Sequence, residues 1–260
     1  MKCAIATVAI GENHQSAYAA IFRPSVERYV ARHGYDLVVF DDYLAGPGDA
    51  GEPVINFEPL RVPFHERVRS YDRVMVLDVD VLISSKAPPF HTLDLGTKIG
   101  VVDEWCQPTR EDRRRFQVVN GMVPTAREYH ALGGFALDSE SVINGGMFIC
   151  APQIHGTLFR GLVAQHIETQ RGHPWGLQFE QAMLSFELQT RGLAQFLPSS
   201  WNCLWPHHRR TAKWGAPPPN TGARERWEDL KRFREVLDAN FLVHLTGGLD
   251  HDLAFVSRNR

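Results

Sequence analysis

Lysine is scarce in this 260-residue chain: it supplies five of the 28 basic residues, and arginine the other 23. Basic and acidic residues nearly balance, 28 against 30, for a formal net charge of −2. That leaves no electrostatic basis for nucleic-acid binding. Cysteine is sparse too. Cys3, Cys106, Cys150 and Cys203 stand far apart with no C-x-x-C pair, which excludes a disulfide framework and fits reduced thiols in a cytoplasmic protein. No apolar run approaches the roughly 18 residues a membrane span needs. No glycine-rich phosphate loop ending in Gly-Lys-Ser/Thr is present, which excludes P-loop chemistry.

What is there is the composition of an ordinary enzyme, 43% hydrophobic with 21 Gly and 16 Pro, in a length that suits one domain over residues 1–260. Lys2 and the following CAIATVAIG loosely imitate a short signal peptide. A first buried β-strand over 3–10 is the preferred reading, because a single basic residue precedes it and a polar loop follows. The first third then alternates apolar runs with helix-period segments, predicting parallel strands joined by crossover helices. A helix spans 21–30, with Pro24 kinking or restarting it and Gly34 as its stop. Strand two is 37–40, a helix covers 57–70, RVMVLDVDVLIS is strand three, and a fourth strand lies at 99–102.

Residues 105–140, with the charged patch REDRRR, read as a loop-rich insertion over one end of the sheet. SVINGGMFICAP restores a strand. Helices follow at 153–170, 177–190 and 224–238, and FLVHL is a last short strand. The fold class is α/β: a Rossmann-type, mostly parallel central sheet flanked by helices, with that insertion and a C-terminal wrap.

Asp78 and Asp80 end the most apolar run in the chain. In an extended strand, side chains two apart share a face, so the two carboxylates converge. Removing an ionised carboxylate from water without a partner costs several kcal/mol, and two such groups also repel. A cation between them, or a crevice at the carboxyl end of a parallel strand, resolves the conflict. A divalent-metal site is favoured over two solvated strand-end aspartates.

Here the chain resembles the GT-A fold, nucleotide-sugar-dependent glycosyltransferases, and within them the retaining branch of glycogenin-type and galactosyl/xylosyl transferases. YDRVMVLDVDVLIS resembles their D-x-D segment, and PLRVPFHERVRSYDR the helix before it, where Arg61 would face the nucleotide sugar. VINGGMFIC resembles their Asn-Ser/Ala-Gly strand, which would bring Asn144, Gly145 and Gly146 to the donor sugar. FEQAML resembles an Asp-Gln segment, with Glu180 and Gln181 near the anomeric carbon. LPSSWNC resembles a recurrent L-P-x-x-W/Y-N stretch. FLVHLTGG resembles the terminal H-x-x-G, giving His244 as a metal ligand and Gly247 as a backbone contact. It is the order of these matches that is specific.

The resemblance implies a glycosyltransferase (hexosyltransferase) that uses Mn²⁺ or Mg²⁺ and moves a sugar from a UDP- or GDP-sugar to an acceptor hydroxyl with retention. Asp80 and His244 would be direct ligands, and Asp78 a ligand or a contact to ribose or metal-bound water. The base would lie against Ala6, Thr7 and Val8, with Asp41 or Asp42 as further partners. Glu180 would stabilise an oxocarbenium-like transition state or act as nucleophile, with Gln181 and Asn144 positioning the sugar. Two departures stand out. Leu249 replaces the lysine that often follows H-x-x-G, for which Lys98, Arg61, Arg258 or Arg260 could substitute, and Glu180 replaces an Asp.

Asp103 and Glu104 form another carboxylate pair, read either as acceptor contacts or as a solvated loop. One or two of the loop tryptophans Trp105, Trp175, Trp201, Trp205 and Trp214 are expected to touch an acceptor. REDRRR reads as a solvated helix face that leaves room for peripheral contact with anionic lipid. The alternatives are a haloacid-dehalogenase-like phosphatase, whose D-x-D lies near its chain start, and a nucleotide-sugar binder without turnover.

Overall fold

A computed structural model describes residues 1–45, 53–171, 180–208 and 223–246. Strand β1 (Cys3–Val8) leads to helix α1 (Glu12–Ala17), a π-helical turn at Tyr18–Phe22 and helix α2 (Arg23–His33). The restart expected at Pro24 is present: the wide turn ends where proline withdraws an N–H, and Gly34 closes α2 with φ 68°. β2 (Asp36–Phe40) follows.

The helix expected over 57–70 is only a fragment, α3 (Glu58–Arg61), between 3₁₀ turns at Ile55–Phe57 and Val62–Phe64. Pro63 lacks the N–H that would continue it, and its ring collides with the preceding turn.

RVMVLDVDVLIS is likewise divided, into β3 (Arg73–Leu77) and β4 (Val81–Ile83). Pairing with β1 stops at Val76 and pairing with the later strand β6 stops at Leu77, so the chain turns through Asp78–Asp80 and joins a second sheet. β5 (Ile99–Asp103) then enters the supposed loop-rich insertion, which is in fact helical: α4 (Arg110–Val119) and α5 (Ala126–Leu132). Thr109 and Thr125 cap these helices through their side chains, a signal the charged patch obscures.

β6 (Ile143–Cys150), α6 (Pro152–Arg171) and α7 (Gln181–Thr190) occupy the expected segments, and the start expected for α7 at 177 lies outside the described residues. β7 (Ala194–Leu197) and β8 (Cys203–Leu204) were not foreseen. α8 (Ala223–Ala239) and β9 (Leu242–His244) complete the described chain.

The six-stranded sheet runs β2-β1-β3-β6-β5-β7. β1 is parallel to β2 and β3, β5 is parallel to β7, and β6 is antiparallel to both its neighbours. The α/β class with a mostly parallel sheet is therefore the one present. Cys3–Val8, the segment that imitates a leader, is an interior strand. Cores lie on both faces. One holds Ile5, Met75, Leu77 and Ile149 with α2 and α8, and the other holds Ala4, Val74, Val76 and Phe148 with α6 and α7. Each large aliphatic chain buried this fully contributes about 1.5–3 kcal/mol. All four cysteines are free. Among the described residues, no helix is long and apolar enough to cross a membrane.

Candidate active site

The small sheet β4-β9-β8 fixes the first cluster. β9 runs antiparallel to β4 with His244 opposite Val81. The Leu245 N–H donates to the Asp80 carbonyl at 3.0 Å, and the Asp78 N–H to the Gly146 carbonyl at 2.9 Å. His244 Nε2 lies 3.0 Å from Asp80 Oδ1 and 3.6 Å from Asp78 Oδ2. Asp78, Asp80 and His244 can thus offer three ligand atoms within 4.8 Å of one another. The carboxylates do converge, through a turn and not along a strand face.

Two glycines let the cluster close. A Cβ on Gly146 would stand 2.1 Å from His244 Cε1, and one on Gly145 would stand 1.7 Å from Glu180 Oε1. The bare backbone that the sequence suggests for a ligand is therefore occupied first by the protein's own imidazole and carboxylate. Glu180 sits at the head of α7, so its carboxylate reaches the same crevice as the aspartates.

Electrostatics bind these groups together. Burial, then the neighbouring Asp78 and Glu104, push Glu180 up to about 8. Burial and Asp80 raise Asp78. Burial would raise Asp80, but His244 outweighs it and holds Asp80 below its ordinary value. Burial alone would lower His244, and Asp80 followed by Asp78 reverses that. Three carboxylates around one imidazole leave the cluster short of positive charge, which is the donor chemistry of a divalent cation with oxygen ligands and one nitrogen.

The second cluster surrounds Glu104. Its Oε2 accepts from Asn144 Nδ2 and from Gln181 Nε2, both at 2.9 Å, and its Oε1 meets Arg113. Asn144 Oδ1 accepts from Asn202 Nδ2 at 2.7 Å and from the Gly146 N–H at 3.0 Å. The Tyr129 hydroxyl donates to Gln181 Oε1 at 3.3 Å. Asn144, Gly145, Gly146, Glu180 and Gln181 therefore do meet the aspartates and His244 at one end of β6.

Other expectations fare differently. Asp103 leaves the site: it accepts from the Trp105 and Val142 N–H groups and pairs with Arg110 at 3.2 Å. Arg61 is buried against Glu58 at 3.2 Å. Ala6 and Thr7 are buried at the end of β1, and Val8 is half-buried. Lys98 precedes β5, at the opposite end of that strand from Glu104. Gly247, Leu249, Arg258, Arg260, Trp175 and Trp214 lie outside the described residues. Trp105, Trp201 and Trp205 are core plugs, each under 5% exposed, so the one or two tryptophans expected to touch an acceptor are not among these three.

Asn202, Arg113 and Tyr129 carry no site role in the sequence reading. Asn202 ends the LPSSWN stretch. The spacing of Arg113, Phe116 and Gln117, all buried on one face of α4, is the signal that could have marked Arg113.

No protein-family model and no curated protein matches the chain. Solved structures do. A glycosyltransferase involved in glycosylation of the major capsid of PBCV-1 is 14% identical, with 99% of each chain covered and a TM-score of 0.59. The galactosyltransferase LgtC, solved with donor and acceptor sugar analogs, is 15% identical over 99% of this chain and 97% of its own, with a TM-score of 0.55. The bifunctional glycosyltransferase WbbM gives a TM-score of 0.60 at 14% identity, with 46% of its own length covered. The likeness is one of fold. The chain has the GT-A-like architecture that its motif order suggests.

Proposed function

We propose that this chain is a metal-dependent glycosyltransferase that moves a hexosyl unit from a UDP- or GDP-sugar to an acceptor hydroxyl with retention of configuration. The observation that carries the reading is the meeting of Asp78, Asp80 and His244 with Glu180 and Gln181 at one sheet end, in a GT-A-like fold. Asp78, Asp80 and His244 would hold the divalent ion, with Mn²⁺ better suited than Mg²⁺ to the imidazole. Such an ion, when bound, neutralises the charge that gathers on a departing diphosphate.

The remaining work falls to the chain's own residues. Asn144 and Gln181 present amides toward the sugar. Glu180 stabilises positive charge developing at the anomeric carbon, by charge or by transient bonding. Burial and then Asp78 raise its pKa to about 8, and a divalent ion held beside it would favour its charged form. The end of β1, at Ala6, Thr7 and Val8, is the wall assigned to the base. The phosphatase alternative explains neither His244 beside the aspartates nor the paired amides.

Incubation with a panel of UDP- and GDP-sugars and Mn²⁺, without acceptor, tests this. Slow donor hydrolysis is expected, and Glu180→Gln should reduce it about 100-fold or more while leaving nucleoside diphosphate affinity intact. Undiminished turnover would reassign Glu180. Nucleotide binding with no turnover at all would favour the non-catalytic binder.

A further inference from the structure

Glu104 is 5% exposed, Arg113 3%, Asn144 2% and Asn202 0%. A carboxylate this enclosed destabilises a fold unless its oxygens are fully partnered. Here Oε1 faces the Arg113 guanidinium while Oε2 takes both amides at 2.9 Å.

A carboxylate accepts and does not donate, so its place decides which way each amide lies. Asn144 must turn Nδ2 to Glu104, which leaves its Oδ1 to Asn202 and to the Gly146 N–H. Gln181 must turn Nε2 to Glu104, which leaves its Oε1 to Tyr129. Each NH₂ carries a second N–H beyond the one that Glu104 accepts.

Arg113 is fixed in turn. Its guanidinium lies 4.6 Å over the Trp105 ring and contacts His207. Burial and then Arg113 itself hold that ring well below its ordinary pKa, so it is neutral and can accept. Arg113 belongs to α4, and α4 thereby reaches the two amides through a single carboxylate.

We infer that Glu104 is a positioning residue for sugar transfer: backed by Arg113, it locks the Asn144 and Gln181 amides with their N–H groups toward the donor sugar. This rests on the transferase reading above. Glu104→Gln keeps the shape but turns an NH₂ toward either Arg113 or the two amides, placing donor against donor.

The expected result is a fall in kcat for donor hydrolysis of about 10–100-fold, with nucleoside diphosphate affinity changed less than about twofold. Glu104→Asp should recover part of the rate. In a Gln181→Ala background the same Glu104→Gln change should cost clearly less than in the wild type, the Asn144 amide alone remaining to be misplaced, since coupled residues are not additive. In ¹⁵N-labelled protein the side-chain amide protons of Asn144 and Gln181 should be protected in the wild type and exchange faster in Glu104→Gln. If Glu104→Gln does not fold, Arg113→Lys carries the same kinetic expectation.

Equal cost in both backgrounds, a loss confined to nucleotide affinity, or unchanged amide exchange would overturn the role of Glu104 while leaving the transferase reading standing. Wild-type protein with protected amides but no turnover of any nucleotide sugar would overturn the transferase reading, and the positioning role with it.

Discussion

Gly145 and Gly146 show how narrow the tolerances at the crevice are. A methyl on Gly146 would meet the ring of His244, held on a paired strand, and Asn144 Oδ1 at 3.0 Å. Gly146→Ala is therefore expected to displace the imidazole and weaken Mn²⁺ binding by about 10-fold or more, read by calorimetric titration. A methyl on Gly145 would meet only the far end of the Glu180 side chain, which can swing aside. Gly145→Ala should fold normally and bind Mn²⁺ as before, yet slow donor turnover. Equal effects of the two changes on metal affinity would contradict this division. Asp78 and Asp80 were legible in the sequence because charge at the end of an apolar strand demands a partner, whereas His244 was legible only through the resemblance of FLVHLTGG to the terminal H-x-x-G. Glu104 was legible only as one of two alternatives, since its worth depends on Arg113, a single buried member of a charged run whose neighbours Arg114 and Arg115 face water.

At the scale of elements, α4 decides how that run is divided. Thr109 accepts from the Asp112 N–H to start the helix, Glu111 and Asp112 pair outward with Arg115, and Phe116 faces inward against His207 with centroids 4.3 Å apart. The exposed charges thus largely cancel, which gives little support to contact with anionic lipid. Phe116→Ala should lower stability by about 3 kcal/mol or more in urea unfolding and slow turnover, because Arg113 loses its backing. Lost stability with full turnover would detach α4 from the site. Strands β1, β2, β3, β5 and β6 could be read from apolar runs. The break between β3 and β4 could not, because it is set by where β1 and β6 stop pairing, a tertiary fact. Apolar spacing over 57–70 overstates α3, which ends at Arg61 where Pro63 cuts it short.

For the whole molecule, protons and a metal ion compete for one site. Glu180, raised to about 8 from an ordinary 4.5, Asp78, raised above 3.8, and His244, raised above 6.5, all hold protons more firmly folded than unfolded. Their joint contribution to stability is therefore lost as pH rises from about 4.5 through 8. Asp80, lowered below 3.8, acts in the opposite sense and only in stronger acid. A divalent ion must expel those protons, so its affinity should rise across the same window. Calorimetric titration of Mn²⁺ at pH 5.5 and 7.5, in two buffers of different ionisation heat, measures this directly. Tighter binding at pH 7.5 with net proton release, lost in Asp80→Ala and His244→Ala, is the predicted result. No binding heat, or identical titrations of wild type and both variants, would contradict the metal centre on which the account stands.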